Sequence, residues 1–428
     1  MIVAMALACS GDDSTDSTDA VTDTVTDGTA GTGDTAPTSP TDGTTADTAT
    51  TSPTPGWTIH PLFAGTHPTD ILMNGAVAVV DDEIWLTWEL GEGLDQHQQW
   101  VQPVRAGVVE PAFTVGGNLT YGSFVAAIAT DPTSDQVVIQ KLVNCAVGPW
   151  TACADPPVEV EVVYVDRASL AVRVDPVLTT DIDGIEKGRG SLDLDKNSVA
   201  LCFKGKLDNE LADEVFCTAT DSPGVFERPE NVSAQTVGTD DHPVIVVRHT
   251  DGLRYIAYTT ARYGIRGAYL STGGAGFLLH PTDSRGEDNG LAEGEDGSLH
   301  AVWVETLVSG AMQVSYATCA TPDCATADRW TSEVVDDGGK PVAATIAVHG
   351  TTPVVNYGLD GKVILAIRCP TGWTTEEVSP TGLPQYTKHG QPTVAVTDDG
   401  RVIVVYGEND ASGVPSLYWA ERAGPLCE

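Results

Sequence analysis

Basic residues are scarce in this chain: 22 Lys and Arg face 60 Asp and Glu, for a net charge of -38 over 428 residues. Affinity for nucleic acid comes mainly from cations neutralising phosphates, so this balance argues against a nucleic-acid partner, and other polyanions are poor candidates. Aromatic residues make up only 6% of the chain and Met occurs four times, a composition unlike that of a helical bundle. No apolar stretch reaches the 18 residues that a membrane-spanning helix requires. The P-loop, dinucleotide-binding, nucleophile-elbow and HExxH patterns are also missing. What is present is 41% hydrophobic residues, 44 Gly, 26 Pro and nine Cys, enough for a large core broken by many turns.

The first eight residues, Met1 to Ala8, form a short apolar run that ends in small side chains directly before Cys9. This resembles the end of a bacterial lipoprotein signal peptide, which implies acylation of Cys9 and an address at the outer membrane or cell surface, with the lipid as the sole membrane contact. Residues 10–56 hold nine Asp and sixteen Thr and no Lys, Arg or aromatic residue, so they cannot bury enough apolar surface to offset chain entropy. They read as a disordered Thr/Asp-rich linker, extended by its prolines and acidic charge, with the folded part beginning at Trp57 and ending at Glu428. That part carries 51 acidic and 22 basic residues.

A unit of about fifty residues recurs through the folded part. Asp399-Gly400 joins two β-branched runs and precedes Tyr406, the pattern of a tight hairpin; Asp296-Gly297 precedes Trp303 and Asp251-Gly252 precedes Tyr258 at the same interval. Weaker copies give the anchor series Trp88, Leu142, Phe203, Tyr258, Trp303, Tyr357 and Tyr406, spaced by 54, 61, 55, 45, 54 and 49 residues. Third strands follow at Gln313 to Thr318, Val363 to Arg368 and Ser416 to Glu421, and fourth strands open with Trp330-Thr331 and Trp373-Thr374. Seven such units without helical stretches predict an all-β, seven-bladed β-propeller. The last unit lacks a fourth strand, and Trp57-Thr58-Ile59-His60-Pro61-Leu62 has the right form to supply it from the other end, closing the ring and hiding its edges. The competing architecture is a pair of two-sheet sandwiches, which would need no fixed period.

Units such as Pro392 to Gly400, and Tyr316-Ala317-Thr318-Cys319 leading to Cys324 and Trp330, resemble those of secreted bacterial propellers of the sialidase-like, Asp-box class, although the strict Ser-x-Asp-x-Gly-x-Thr-Trp pattern is absent. The resemblance implies a propeller that binds or cleaves glycans. A hydrolase of that kind needs three arginines converging on a carboxylate and a Tyr nucleophile paired with a Glu. Arg189, Arg248, Arg285, Tyr121 and Glu287 are the residues that can be nominated.

Eight cysteines besides Cys9 indicate disulfides in an oxidising compartment. Cys145 with Cys153, Cys202 with Cys217, and Cys319 with Cys324 are local pairs, leaving Cys369 and Cys427 to pair by elimination. Zinc is the competing reading, but the spacers are unequal and scattered over separate units.

Ligand contacts in a propeller are expected where loops converge at the channel mouth. The residues placed just before each inner strand are Asn74, Tyr121 with Ser123, Arg189, His242, Asn289 beside Asp288, Lys340, and Gln391 with His389. They would form a mixed polar ring suited to a carboxylate or to sugar hydroxyls; the bland alternative is that they are turn residues solvating a channel. Asp193-x-Asp195-x-Asn197 has the alternating oxygens of a calcium loop, but Ser198 and Lys204 stand where Gly and Glu are needed, so the segment reads as a hairpin turn. No cofactor is called for, and the acidity leaves weak calcium binding open. The expectation is a monomeric, lipid-anchored binding module for a glycan or an envelope protein, with a glycan-cleaving hydrolase as the alternative.

Overall fold

The computed structural model of the protein describes residues 56–65, 70–92, 96–115, 122–144, 160–177, 179, 182–183, 190–207, 213–220, 224–234, 239–262, 265–272, 276–280, 284–320, 322–382 and 393–427. Cys9, the linker and the pair Cys145 and Cys153 lie outside them.

The described strands form seven antiparallel blades. Their inner strands are Asp70–Val80, Gly122–Thr130, Gly190–Asp195, Thr239–Val247, Arg285–Glu293, Pro341–His349 and Val394–Val396. Blade order follows chain order, each sheet running from inner strand outward through hairpins. The turn chemistry accounts for the hairpins: Asp81 and Asp82 both take positive φ, as do Asp360 and Gly361, the backbone that a tight two-residue turn requires.

The seventh blade is completed from the other end of the domain. Trp57–Ala64 pairs antiparallel with Pro415–Arg422, aligning Trp57 with Arg422 and Ala64 with Ser416. His60 stacks on Trp419 with centroids 4.0 Å apart, and its Nε2 lies 3.0 Å from Glu421 Oε1. The closing strand predicted from its Trp-Thr opening is therefore in place.

Among the described residues the hydrophobic core forms seven clusters, each shared by two neighbouring blades. One of them joins Val77, Leu86 and Trp88 of the first blade to Val405, Leu417 and Trp419 of the seventh, so the cycle of interfaces is complete. Every anchor of the repeat falls on a second strand and is buried. Four of them stack on an aromatic residue across the hairpin: Trp88 on Trp100, Phe203 on Phe216, Tyr258 on Tyr269 and Tyr406 on Tyr418. Such pairs add directional contacts to the area buried, which explains why an aromatic residue recurs there.

Among the described residues three disulfides form, Cys202–Cys217, Cys319–Cys324 and Cys369–Cys427. The first bridges directly opposed residues of the second and third strands of one blade. The last ties the third strand of the sixth blade to the C-terminal tail.

A buried histidine should make the core sensitive to acid. His300, 4% exposed in the second strand of the fifth blade, sits between Ser298 Oγ at 2.7 Å and Tyr316 Oη at 2.6 Å. Burial pushes its imidazole down to about 4, although the Asp296 carboxylate opposes the shift. The unfolded chain therefore binds a proton near pH 6.5 that the folded protein refuses until about pH 4, so stability falls as pH is lowered across that window. The full loss is on the order of 3 kcal/mol. Urea unfolding midpoints measured from pH 7 to 4 should decline for the natural chain, with the His300-dependent part of that slope missing in His300→Gln; identical slopes would exclude this origin.

Candidate functional site

The inner strands gather around a shared axis, because residues from all seven line one cavity of about 590 Å³. Val77 to Val79, Ala127 to Thr130, Ser191 to Asp193, Val244 to Val246, Gly290 to Glu293, Thr345 to Val348 and Val394 to Val396 form its wall. Small and β-branched side chains dominate the wall because inner strands crowd near the axis. Gly75, on the first inner strand, packs against the seventh blade, and a Cβ there would come within 2.8 Å of Val405 Cγ1.

The expected polar ring needs a correction. Asn74, His242 and Asn289 do not precede their inner strands; they lie inside Asp70–Val80, Thr239–Val247 and Arg285–Glu293. Each sits at a break in the pairing register, between Met73 and Ala76, Asp241 and Val244, and Glu287 and Gly290. The sixth blade repeats the break between Val342 and Thr345. His242, Asp288 and Ala343 take positive φ at these bulges, so a polar or irregular pair such as His242-Pro243 marks a kink within the strand and not its start. In the third blade the pairing comes in two pieces, Ile182–Asp183 and Gly190–Asp195, both against Ser198–Leu207.

Two ring candidates are brought together. Asn289, 2% exposed, donates from Nδ2 to the His242 carbonyl at 3.1 Å and accepts from Thr259 Oγ1 at 2.8 Å, which stitches the fourth blade to the fifth. Lys340 is exposed, and its backbone N–H donates to Asp360 Oδ1 at 3.2 Å. For Asn74 and Ser123 only the backbone is described, and Tyr121, Arg189, His389 and Gln391 lie outside the described residues. Of the arginines nominated for a hydrolase, Arg248 follows its inner strand and Arg285 begins the next one, so they stand at opposite ends of neighbouring parallel strands. Arg248 is buried and engaged by Asp251 and the Pro322 carbonyl. These two do not converge on one carboxylate.

Ionisable groups converge instead where the inner strands of blades two to five end. His249 follows Thr239–Val247; its Nδ1 is 2.7 Å from Glu293 Oε2 and its Nε2 is 3.2 Å from Asp131 Oδ2 and 4.0 Å from Asp195 Oδ1. The backbone N–H of His249 also donates to Glu293. Glu293 hydrogen-bonded to the ring pushes the imidazole up to about 9, so it is an imidazolium at neutral pH. Asp131 is almost wholly buried, which by itself would raise its pKa, but donation from Thr133, the Lys196 N–H and His249 holds it below the usual carboxylate range. Burial pushes Asp193 up to about 6 despite hydrogen bonds from the Val247 N–H at 2.7 Å and the Leu194 N–H at 2.9 Å. One oxygen of Asp195, Oδ1, is sealed from solvent without a hydrogen-bond partner.

Asp193 and Asp195 were singled out in the sequence for their alternation, and the structure shows why it matters: residues i and i+2 of a strand share a face. They pair with Ala200 and Ser198 in the hairpin that was expected there. Asp131, His249 and Glu293 were not singled out. Their signal is positional, a polar residue at the end of the inner apolar run in successive repeats, and it emerges when the repeats are aligned on their hairpin turns.

No family model matches the chain, and no curated protein matches it. Solved structures with a similar chain path include the polysaccharide lyase Uly1, at 10% identity and a TM-score of 0.49, covering 81% of this chain and 89% of that one. The α-L-arabinanase of Penicillium chrysogenum complexed with arabinobiose aligns at 10% identity and a TM-score of 0.47, covering 86% and 98%. The sialidase of Trypanosoma rangeli aligns at 10% identity and a TM-score of 0.45 over 88% of this chain, which spans 60% of the sialidase. The likeness to sialidase-like propellers is one of fold.

Proposed function

We infer that this protein is a binding module, held at a bacterial envelope through a lipid on Cys9, that takes a hydroxyl-rich glycan into the axial cavity. The observation that carries this reading is the cavity itself: about 590 Å³, walled by apolar strand residues and rimmed at one end by Asp193, His249 and Glu293. Concave apolar walls with a few convergent polar groups suit a sugar, whose ring faces are apolar and whose hydroxyls donate well to carboxylates. An envelope protein inserting a polar loop is the second occupant that this geometry admits. The surplus of acid over base disfavours anionic glycans.

The test is a glycan array probed with the purified full chain, run alongside fluorogenic glycosides. Binding of neutral glycans that drops at least tenfold in Glu293→Gln, with no glycoside turnover, supports the module. Turnover that disappears in Tyr121→Phe would establish the hydrolase instead. Failure to bind any glycan would reject the carbohydrate reading, and labelling of the predicted acylation site by a fatty-acid probe, lost in Cys9→Ala, tests the anchor separately.

A further inference from the structure

We propose that Asp131, Asp195 and His249 form a site for a first-row transition dication such as zinc at the end of the axial channel. The three residues come from the second, third and fourth blades, and they offer one ligand atom each, all within 4.8 Å of one another. Zinc bonds to imidazole nitrogen and carboxylate oxygen are about 2.0–2.2 Å long, so tetrahedral ligand atoms lie about 3.3–3.6 Å apart. The separations from His249 Nε2, 3.2 Å to Asp131 and 4.0 Å to Asp195, bracket that edge. A single imidazole with two carboxylates favours a borderline metal over calcium, which prefers six to eight oxygens.

An observation independent of the clustering points to a missing ligand. Asp195 Oδ1 is sealed from solvent and accepts no hydrogen bond, and the His249 ring faces it only at 4.0 Å, a gap that a coordinated cation would close. The supporting groups are also arranged for coordination. Glu293 holds His249 Nδ1 at 2.7 Å, which aims Nε2 at the two aspartates, and Thr133 donates to the other oxygen of Asp131. Carboxylates that orient a ligating histidine in this way are the usual outer partners of metal sites. Coordination replaces the Nε2 proton, which leaves to solvent, and water completes the coordination shell.

This inference stands apart from the glycan reading, because metal uptake is measured without any sugar. The full chain is stripped with EDTA, dialysed, and titrated calorimetrically with zinc and, separately, with calcium. One saturable equivalent of zinc is expected above the diffuse background of the acidic chain, with calcium weaker. Asp195→Asn and His249→Gln should each remove that equivalent, Glu293→Gln should weaken it by about 10–100-fold, and Asp398→Asn, in an exposed hairpin turn of the seventh blade, should leave it unchanged. Thermal unfolding in EDTA verifies that every variant is folded, and zinc should raise the midpoint of the natural chain but not of Asp195→Asn. A saturable equivalent that persists in the Asp195→Asn, His249→Gln double variant, the absence of saturable uptake, or tighter binding of calcium than of zinc would each overturn the proposal.

Discussion

A chain lacking Trp57–Ala64 is expected to lose most of its stability, because that strand is where the ring is fastened. Trp57 is buried in the interface of the sixth and seventh blades, and truncating a buried Trp to Ala alone costs about 3–5 kcal/mol. Removing the whole strand also unstacks His60 from Trp419 and leaves the backbone of Pro415–Arg422 without its outer partner. The newly bared edge would hold an apolar face beside unpaired N–H and C=O groups, the combination that recruits other chains. A domain whose total stability is about 5–15 kcal/mol has little left after such a loss. Calorimetry of the truncated chain should therefore show a midpoint well below that of Trp57→Ala, with oligomers on size exclusion. A peptide spanning Gly56 to Gly65, added in trans, should raise the midpoint again. A truncated chain that melts with the full one and stays monomeric would mean that closure rests on blade packing alone.

The parts of this architecture that were legible in the sequence are those written locally. Asp-Gly turns, β-branched alternation and the buried aromatic anchors recur because each blade solves the same packing problem within about fifty residues. The disulfides Cys202–Cys217 and Cys319–Cys324 were legible for the same reason, and Cys369–Cys427 only because the other cysteines were already matched. Inner-strand boundaries were misread where a bulge interrupts the alternation: Asn74-Gly75, His242-Pro243 and Asp288-Asn289 look like loop sequence, yet pairing resumes beyond each. The rim cluster was hidden for a different reason. Asp131, Asp195, His249 and Glu293 belong to four blades, and nothing near any of them in the chain shows that the propeller's rotation gathers these strand ends at one mouth. Asp193 and Asp195 drew notice through their alternation, but the partner that gives them meaning, His249, lies more than fifty residues away.

Loss of the Cys369–Cys427 disulfide should have the second-largest effect, and its magnitude can be argued from loop length. The bond closes a loop across a sequence separation of 58 residues, for which the chain-entropy model gives about 4 kcal/mol of stabilisation, drawn from the unfolded state. With roughly 2 cal/mol/K of unfolding entropy per residue over about 370 residues, that becomes a drop of about 5 °C in the midpoint. Cys369→Ser paired with Cys427→Ser is the variant to measure, since a single replacement would leave a reactive thiol. The disulfide holds the C-terminal tail against the sixth blade, whereas Trp57–Ala64 holds the N-terminal end against the seventh, and Trp57 packs in the same core cluster as Cys369. The two fastenings therefore share an interface, and their losses should not simply add: the double cysteine variant should cost more in the Trp57→Ala background than in the natural chain, because each tie limits the opening that the other would allow. Additive losses would instead mean that the two ends of the ring open independently.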